Sequence, residues 1–256
     1  MSDGLGFKQI TADNLDTEHI CCCISDKKGE NCVATKKSWL RGRIQEGLVF
    51  NKLDVRGKVM IEYIPAEFAW APVQADGYMF INCLWVSGQY KGKGYGDQLL
   101  DLCIADSKAK GKRGLAVLSS GKKMPFLSDP GFLKHRGFML ADKANPYFQL
   151  MYLPFDEGAR PPQVKECAKH GVIGEDGLVL YYTDQCPHTA KYVPVFAECA
   201  KKAGAGCRIH KLDSREAAQS APVPFTTYAL FYNGKFITNE ILSEKSFAKL
   251  WDKIQG

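Results

Sequence analysis

A run of glycines spaced by two constrains this chain more than any other stretch. It reads Val86-Ser-Gly-Gln89-Tyr-Lys-Gly92-Lys-Gly94-Tyr-Gly96-Asp-Gln-Leu-Leu100. The preceding run, Tyr78-Met-Phe-Ile-Asn-Cys-Leu-Trp-Val86, has the composition of a strand. After it, Leu99, Leu100, Leu102, Cys103 and Ala105 recur with helical spacing. The order is strand, glycine turn, helix. A helix N-terminus presents free backbone N–H groups to an anion, and glycines let that anion approach the backbone closely. Lys91 and Lys93 add positive charge at the same place. A phosphorylated cofactor is the expected occupant.

The spacing separates one phosphate loop from another. A dinucleotide fingerprint needs Gly-x-Gly-x-x-Gly and an acidic residue about 20 residues on. Here the glycines follow Gly-x-Gly-x-Gly, and the later region is Lys108-Ala-Lys-Gly-Lys-Arg113, of the wrong sign for a ribose contact. A loop ending in Gly-Lys-Ser/Thr is absent too. The pattern that fits is Gln/Arg-x-x-Gly-x-Gly, present as Gln89-Tyr-Lys-Gly92-Lys-Gly94. Downstream come a strand-like run over 114–120, the segment Phe132-Leu-Lys-His-Arg-Gly137-Phe138, and a strand-like run over 147–153. Upstream, 58–64 and 67–70 read as one strand interrupted at Pro65, and a helix over 37–46 is ended by Gly47.

The loop and its flanking order resemble the GCN5-related N-acetyltransferases (GNAT enzymes), and Phe132–Phe138 resembles their helix-ending Phe-Tyr-x-Lys-x-Gly-Phe. The resemblance covers residues 1–155 and is closest to the subset carrying a C-terminal YoaP-like region. It implies an α/β GNAT acyl-CoA N-acyltransferase fold, with acetyl-CoA as cosubstrate. In such a fold the strand before the loop splays from its neighbour. The resemblance therefore assigns Leu84, Trp85 and Val86 to the pantetheine arm, and Lys91, Gly92, Lys93, Gly94, Tyr95 and Gly96 to the pyrophosphate. One departure matters: the family tyrosine is Leu133, which cannot donate a proton. Tyr147, Tyr152 or a cysteine are the substitutes, unless the coenzyme A thiolate leaves without an acid. Glu62 is the expected general base, because a strand carboxylate beside a bulge can face the acceptor cleft. Tyr63, Trp70 and Asn82 are candidates for the acceptor pocket, and Lys122 and Lys123 for anion contacts.

Breakers cluster at Pro154, Gly158, Pro161 and Pro162, and mark a linker over 156–176. Beyond it a second unit, 177–256, restarts with strand 178–183, helix 190–203, strand 207–212, short helix 214–220, strands 225–232 and 235–238, and helix 243–254. Asn233-Gly234 between two strand-like runs is a hairpin signal. This order resembles a smaller thioredoxin-like domain. Cys186-Pro-His-Thr189 stands at its Cys-x-x-Cys position, and Pro224 at its cis-proline position. With Thr189 in place of the second cysteine, a dithiol cycle within the motif is impossible. A lone thiol at a helix N-terminus is expected to have a lowered pKa, which makes Cys186 the candidate reactive cysteine, with His188 beside it.

Ten cysteines need an account. No Cys-x-x-Cys occurs, and Cys21, Cys22 and Cys23 are adjacent, so no metal is expected. Cys83 and Cys103 lie in apolar runs and are expected in the core. The start, Met1-Ser-Asp-Gly-Leu-Gly, lacks a signal-peptide pattern, so the expected address is cytoplasmic, with free thiols rather than disulfides. Net charge is +6 without a basic cluster interleaved with aromatics, and no run of 18 apolar residues occurs; neither nucleic acid nor membrane is an expected partner. The expected function is transfer of acetyl from acetyl-CoA to a small-molecule or peptide amine, by a monomer or homodimer. The alternative is a thiol-handling or ligand-binding protein in which the Cys186 domain is the working part.

Overall fold

The computed structural model describes residues 6–255. Most of the segment read for a leader, residues 1–5, lies outside them. The first half runs β1 (Phe7–Ile10), α1 (Cys32–Gln45), β2 (Val49–Leu53), β3 (Val59–Pro65), β4 (Val73–Gln74), β5 (Tyr78–Val86), α2 (Tyr95–Ala109), β6 (Gly114–Ser120), α3 (Pro130–His135), β7 (Met139–Ala144) and β8 (Phe148–Pro154). The second runs β9 (Gln163–Val164), β10 (Leu178–Tyr182), α4 (Pro187–Lys202), β11 (Cys207–Lys211), α5 (Arg215–Gln219), β12 (Tyr228–Tyr232), β13 (Lys235–Thr238) and α6 (Glu244–Gln255). No helix among them is long and apolar enough to cross a membrane.

A seven-stranded sheet has the order β1-β2-β3-β5-β6-β8-β7, and only β5 and β6 in it run parallel. Each face of the sheet is covered. Residues of β3 therefore alternate between two apolar clusters rather than between core and solvent. Ile61 and Tyr63 pack toward α2 with Leu99, Leu100, Cys103 and Leu133. Met60 and Ile64 pack on the opposite face with Trp39 and Leu40 of α1. This corrects two expectations. Tyr63 faces away from any acceptor cleft, and its hydroxyl donates to Asp106 Oδ2 at 3.0 Å. The run at 67–70 does not extend the strand, since Pro65 has no N–H to continue a ladder and a short 3-10 turn over Ala66–Phe68 follows.

The second sheet has the order β11-β10-β12-β13, with β10 and β11 parallel and the other pairs antiparallel. Its crossover helix α4 starts with Cys186 as N-cap and Pro187 at the first helical position, where the missing N–H costs nothing. Among the described residues the cis peptide bond is Asn145–Pro146, so Pro224 is trans, contrary to expectation. The trans course carries Phe225, Thr226 and Thr227 back against the first sheet, where the Thr226 hydroxyl donates to the Trp70 carbonyl.

Each half has an apolar cluster of its own, and a further one spans both. One apolar cluster joins Trp39, Phe148 and Leu150 to Val179, Phe225 and Phe231. Residues 156–176 are no loose tether either, because β9 pairs with β4, and Phe236 donates its N–H to Gly171 at 2.9 Å. Polar contacts reinforce the seam: Asn239 Nδ2 donates to the Pro125 carbonyl at 3.0 Å, and Gln219 Nε2 to the Ala69 carbonyl at 2.9 Å. A shared core makes unfolding one cooperative event. Differential scanning calorimetry is expected to show a single transition with matching calorimetric and van't Hoff enthalpies; two resolved transitions would mean that the halves unfold independently.

Candidate active site

The site is built on the departure of β5 from β6. The two strands pair in parallel only over Tyr78–Ile81 and Gly114–Val117. Beyond that point β6 stays with β8 out to Ser120, while β5 stays with β3 out to Val86. Backbone groups on one edge of Asn82–Val86 thereby lose a strand partner inside the protein. A bulge coincides with the fork: Glu62 pairs with Cys83 and Tyr63 with Ile81, leaving Asn82 as the extra residue. Asn82 Nδ2 donates to Glu62 Oε1 at 3.0 Å.

A cavity of about 760 Å³ opens from this fork. The freed strand supplies Asn82, Cys83, Leu84, Trp85 and Val86, and α1 supplies Lys36. The loop before α3 adds Lys123–Asp129, and the second half adds Cys186, His188, Tyr192 and Phe225–Thr227. Lys91 lies at its mouth. At the base sits a buried ion pair, Lys36 Nζ donating to Glu62 Oε2 at 2.6 Å, with both side chains nearly inaccessible (2% and 1%). Lys36 reaches this place because Cys32, Lys36, Trp39 and Leu40 form the buried stripe of α1. Its ammonium also lies 4.1 Å from the centroid of the Trp39 ring. Removing one member of such a pair leaves an uncompensated buried charge, at a typical cost of about 3–5 kcal/mol. Sequence reasoning missed Lys36; the signal was a lysine in the middle of an apolar helical stripe.

The glycine loop stands at the other end of β5. Gly92 and Gly94 adopt φ of +72° and +76°, a region that disfavours side chains, and Gly94 is the N-cap of α2. No side chain caps this helix. Asp97 in its first turn is neutralised by Arg136, whose Nη1 lies 2.8 Å from Oδ1. The helix end thus keeps its positive character. Tyr95 packs edge-on against Phe7 and Tyr90, which fixes the loop from its far side. Lys93 and Gly96 sit on the same turn, with a Gly96 Cβ position 3.6 Å from the Phe132 ring.

Several sequence expectations are relocated. Tyr147 donates to Asn239 Oδ1 at 2.6 Å, and Tyr152 packs edge-on against Tyr78; neither lines the cavity, whereas Tyr192 does. Leu133 is buried in the α2-side core. Lys123 lines the cavity but is paired with Asp129 at 2.8 Å, and Lys122 lies outside it. Cys103 is core, but Cys83 is half-buried and faces the cavity. There the neighbouring Cys22 thiol and burial push the Cys83 thiol well above its ordinary value.

Cys186 differs most from expectation. It caps α4, yet burial pushes its thiol up to about 12, with the nearby Cys22 adding to the rise. The His188 N–H and the Lys36 charge pull the other way without offsetting it. The Thr189 hydroxyl donates to the Thr183 and Cys186 carbonyls at 2.9 and 2.7 Å, so the second motif position is a structural clasp. His188 is half-buried on the cavity wall and, mainly by burial, shifted below the usual histidine range, so it is neutral at neutral pH. A raised folded-state pKa means less thiolate at any pH below it. Cys186 is expected to alkylate with iodoacetamide more slowly than a model thiol at pH 7–8, read by peptide mass spectrometry; a faster rate would overturn the dominance of burial.

Comparison with known proteins identifies the family. The model of the acetyltransferase (GNAT) family matches residues 17–124, and the YoaP-like model matches residues 207–249. The chain is 46% identical over 244 residues to a Bacillus subtilis (strain 168) protein called uncharacterized N-acetyltransferase YoaP, spanning 95% of this chain and 97% of that one. Among solved structures it is similar to the PaiA N-acetyltransferase of Thermoplasma acidophilum in complex with coenzyme A (15% identity, 59% of this chain and 99% of that one, TM-score 0.43). It is similar also to a GNAT family acetyltransferase of Brucella melitensis in complex with acetyl-CoA (17% identity, 59% and 88%, TM-score 0.37). On the strength of the full-length relative, the chain belongs to the GNAT family of N-acetyltransferases.

Proposed function

We propose that this acetyltransferase uses acetyl-CoA to acetylate a small amine held in the cavity between its two halves. The observation that carries the reading is the fork between β5 and β6, leading from an uncapped helix N-terminus to a buried Lys36–Glu62 pair. The residues fit the cosubstrate. Leu84, Trp85 and Val86 offer free backbone groups to a pantetheine arm, and Lys91, Gly92, Lys93, Gly94, Tyr95 and Gly96 form the pyrophosphate cradle at the start of α2. Bound acetyl-CoA supplies an activated thioester carbonyl. Residues 1–155 are the transferase body, 156–176 the connection, and 177–256 a thioredoxin-like cover that shapes access to the acceptor. The β10–β13 order and the crossover by α4 support that description of the cover.

Glu62 is the group that would take the proton an attacking amine must lose. Lys36 and Asn82 occupy one direction on each of its oxygens, and each oxygen keeps a further lone pair. Neutral His188 on the opposite wall is a second proton acceptor. The cavity volume is within the roughly 300–1,000 Å³ of small-ligand sites, which favours a small acceptor over a folded protein. Free thiols at all ten cysteines suit a cytoplasmic address. The protonated state favoured at Cys186 weighs against the reading in which its domain is a thiol catalyst.

Saturating acetyl-CoA at about 100 times its Kd is expected to stabilise the fold by about 2.7 kcal/mol, visible as a thermal shift. Gly94→Asp, which strains a positive-φ site and sets a carboxylate against phosphate, is expected to abolish the shift; retained affinity would move the cofactor elsewhere. In a coenzyme A release assay over a panel of small amines, Glu62→Gln is expected to lower kcat about 10²–10⁴-fold, the usual worth of a positioned acid or base, with little change in acetyl-CoA affinity. Unchanged kcat would remove Glu62 from the chemistry.

A further inference from the structure

Residues 11–31, between β1 and α1, contain turns and bridges but no named strand or helix. Stretches of this length without secondary structure are uncommon in packed domains and usually carry a function. At its end three ligand-type groups converge from Cys-x-x-Asp-x5-Cys spacing. The Cys23 thiol, an Asp26 carboxylate oxygen and the Cys32 thiol all lie within 4.8 Å of one another. None of this set belongs to the cavity wall. We propose that Cys23, Asp26 and Cys32 form a site for a thiophilic divalent cation of the zinc class, with a fourth position open to water.

The donor set suits that ion. Zinc takes sulfur at about 2.3 Å and carboxylate oxygen at about 2.0–2.2 Å, which in a tetrahedron puts donors about 3.5–3.8 Å apart. With the donors within 4.8 Å of one another, closing to that spacing needs no more than about 1 Å of side-chain movement. Cys23 and Asp26 are half-buried and reachable from solvent, while Cys32 is buried on the first turn of α1. Asp26 is already held, since the Val33 N–H donates to Oδ1 and Oδ2 at 3.0 and 3.1 Å, and its oxygens keep lone pairs for a metal. Glu30 adds a nearby carboxylate, oriented by Lys191 Nζ at 2.9 Å and the Lys27 N–H at 3.3 Å. Binding converts two thiols to thiolates, forms two sulfur–metal bonds and releases two protons to solvent. The ion would tie residues 23–32 to α1 one turn ahead of Lys36 and, through Glu30 and Lys191, to α4. Such a site departs from the sequence expectation of no metal, which rested on the absence of Cys-x-x-Cys and on the adjacency of Cys21, Cys22 and Cys23.

The test uses the full-length protein, reduced and stripped with chelator, then titrated with Co2+. One equivalent is expected to give a thiolate-to-cobalt charge-transfer band and tetrahedral d–d absorption, both removed by Zn2+. Cys23→Ser and Asp26→Asn, at partly accessible positions, are expected to weaken Zn2+ binding beyond the roughly 10–100-fold cost of losing an outer-shell partner. Cys32→Ser should do the same and is read with far-UV circular dichroism to confirm folding. Cys167→Ser, at an exposed cysteine elsewhere, should leave the spectrum intact. Absence of the band at one equivalent, or a band that survives in both Cys23→Ser and Asp26→Asn, would overturn the site.

Discussion

The parting of β5 from β6 after Ile81 is the constraint on which the rest of this structure depends. A sheet edge opened inside a protein leaves backbone groups that must find partners elsewhere. Here the opening is tolerated because the strands on either side remain fully paired, β5 with β3 and β6 with β8. The bulge at Glu62 and Asn82 sits where the ladder forks and turns a carboxylate and an amide toward the gap. The glycine loop lies at the far end of the same strand, so one element connects that loop to the Lys36–Glu62 pair. The second half then closes the gap from the side, with Cys186, His188 and Tyr192 completing the wall.

Two competing effects decide the state of Cys186. A helix N-terminus favours a thiolate by about 0.3–1 kcal/mol at ordinary sites and up to about 2 in favourable ones. Desolvation of a fully buried group can shift a pKa by up to about 3–5 units, several times more. The thiol faces a mostly apolar cavity with other sulfurs close by, so burial prevails. The same motif position on an exposed loop would give the opposite result. Fold position alone does not make a cysteine reactive.

Much of the fold was legible because its signals were local. The glycine run does lead straight into α2, Gly137 (φ +81°) follows the C-cap of α3, and Asn233-Gly234 does turn a hairpin. Short or polar strands were not legible. β1 has four residues, and β7, Met-Leu-Ala-Asp-Lys-Ala, has little strand composition and takes its place by pairing with β8. The site was legible only where a motif marks it. Glu62 does line the cavity, but which face Tyr63 or Cys83 takes depends on both sheet faces being covered, and alternation with a solvent side then no longer applies. Lys36 and Tyr192 come from helices distant in sequence, and nothing local joins them to the glycine loop. Cys23 and Cys32 are brought near each other by an irregular stretch rather than a tight turn, so their proximity is not marked by short spacing.

The buried Lys36–Glu62 pair has a consequence beyond holding α1 to the sheet. Both charges are fixed by packing, by Asn82 and by the Trp39 ring, so their field is established when the chain folds. Water around an exposed carboxylate must reorient as charge moves during a reaction. Groups already aimed by the fold incur little of that reorganisation. A pair that contributes little net folding stability against an apolar substitute can therefore be retained for a different quantity, a standing electric field across the cavity that it lines.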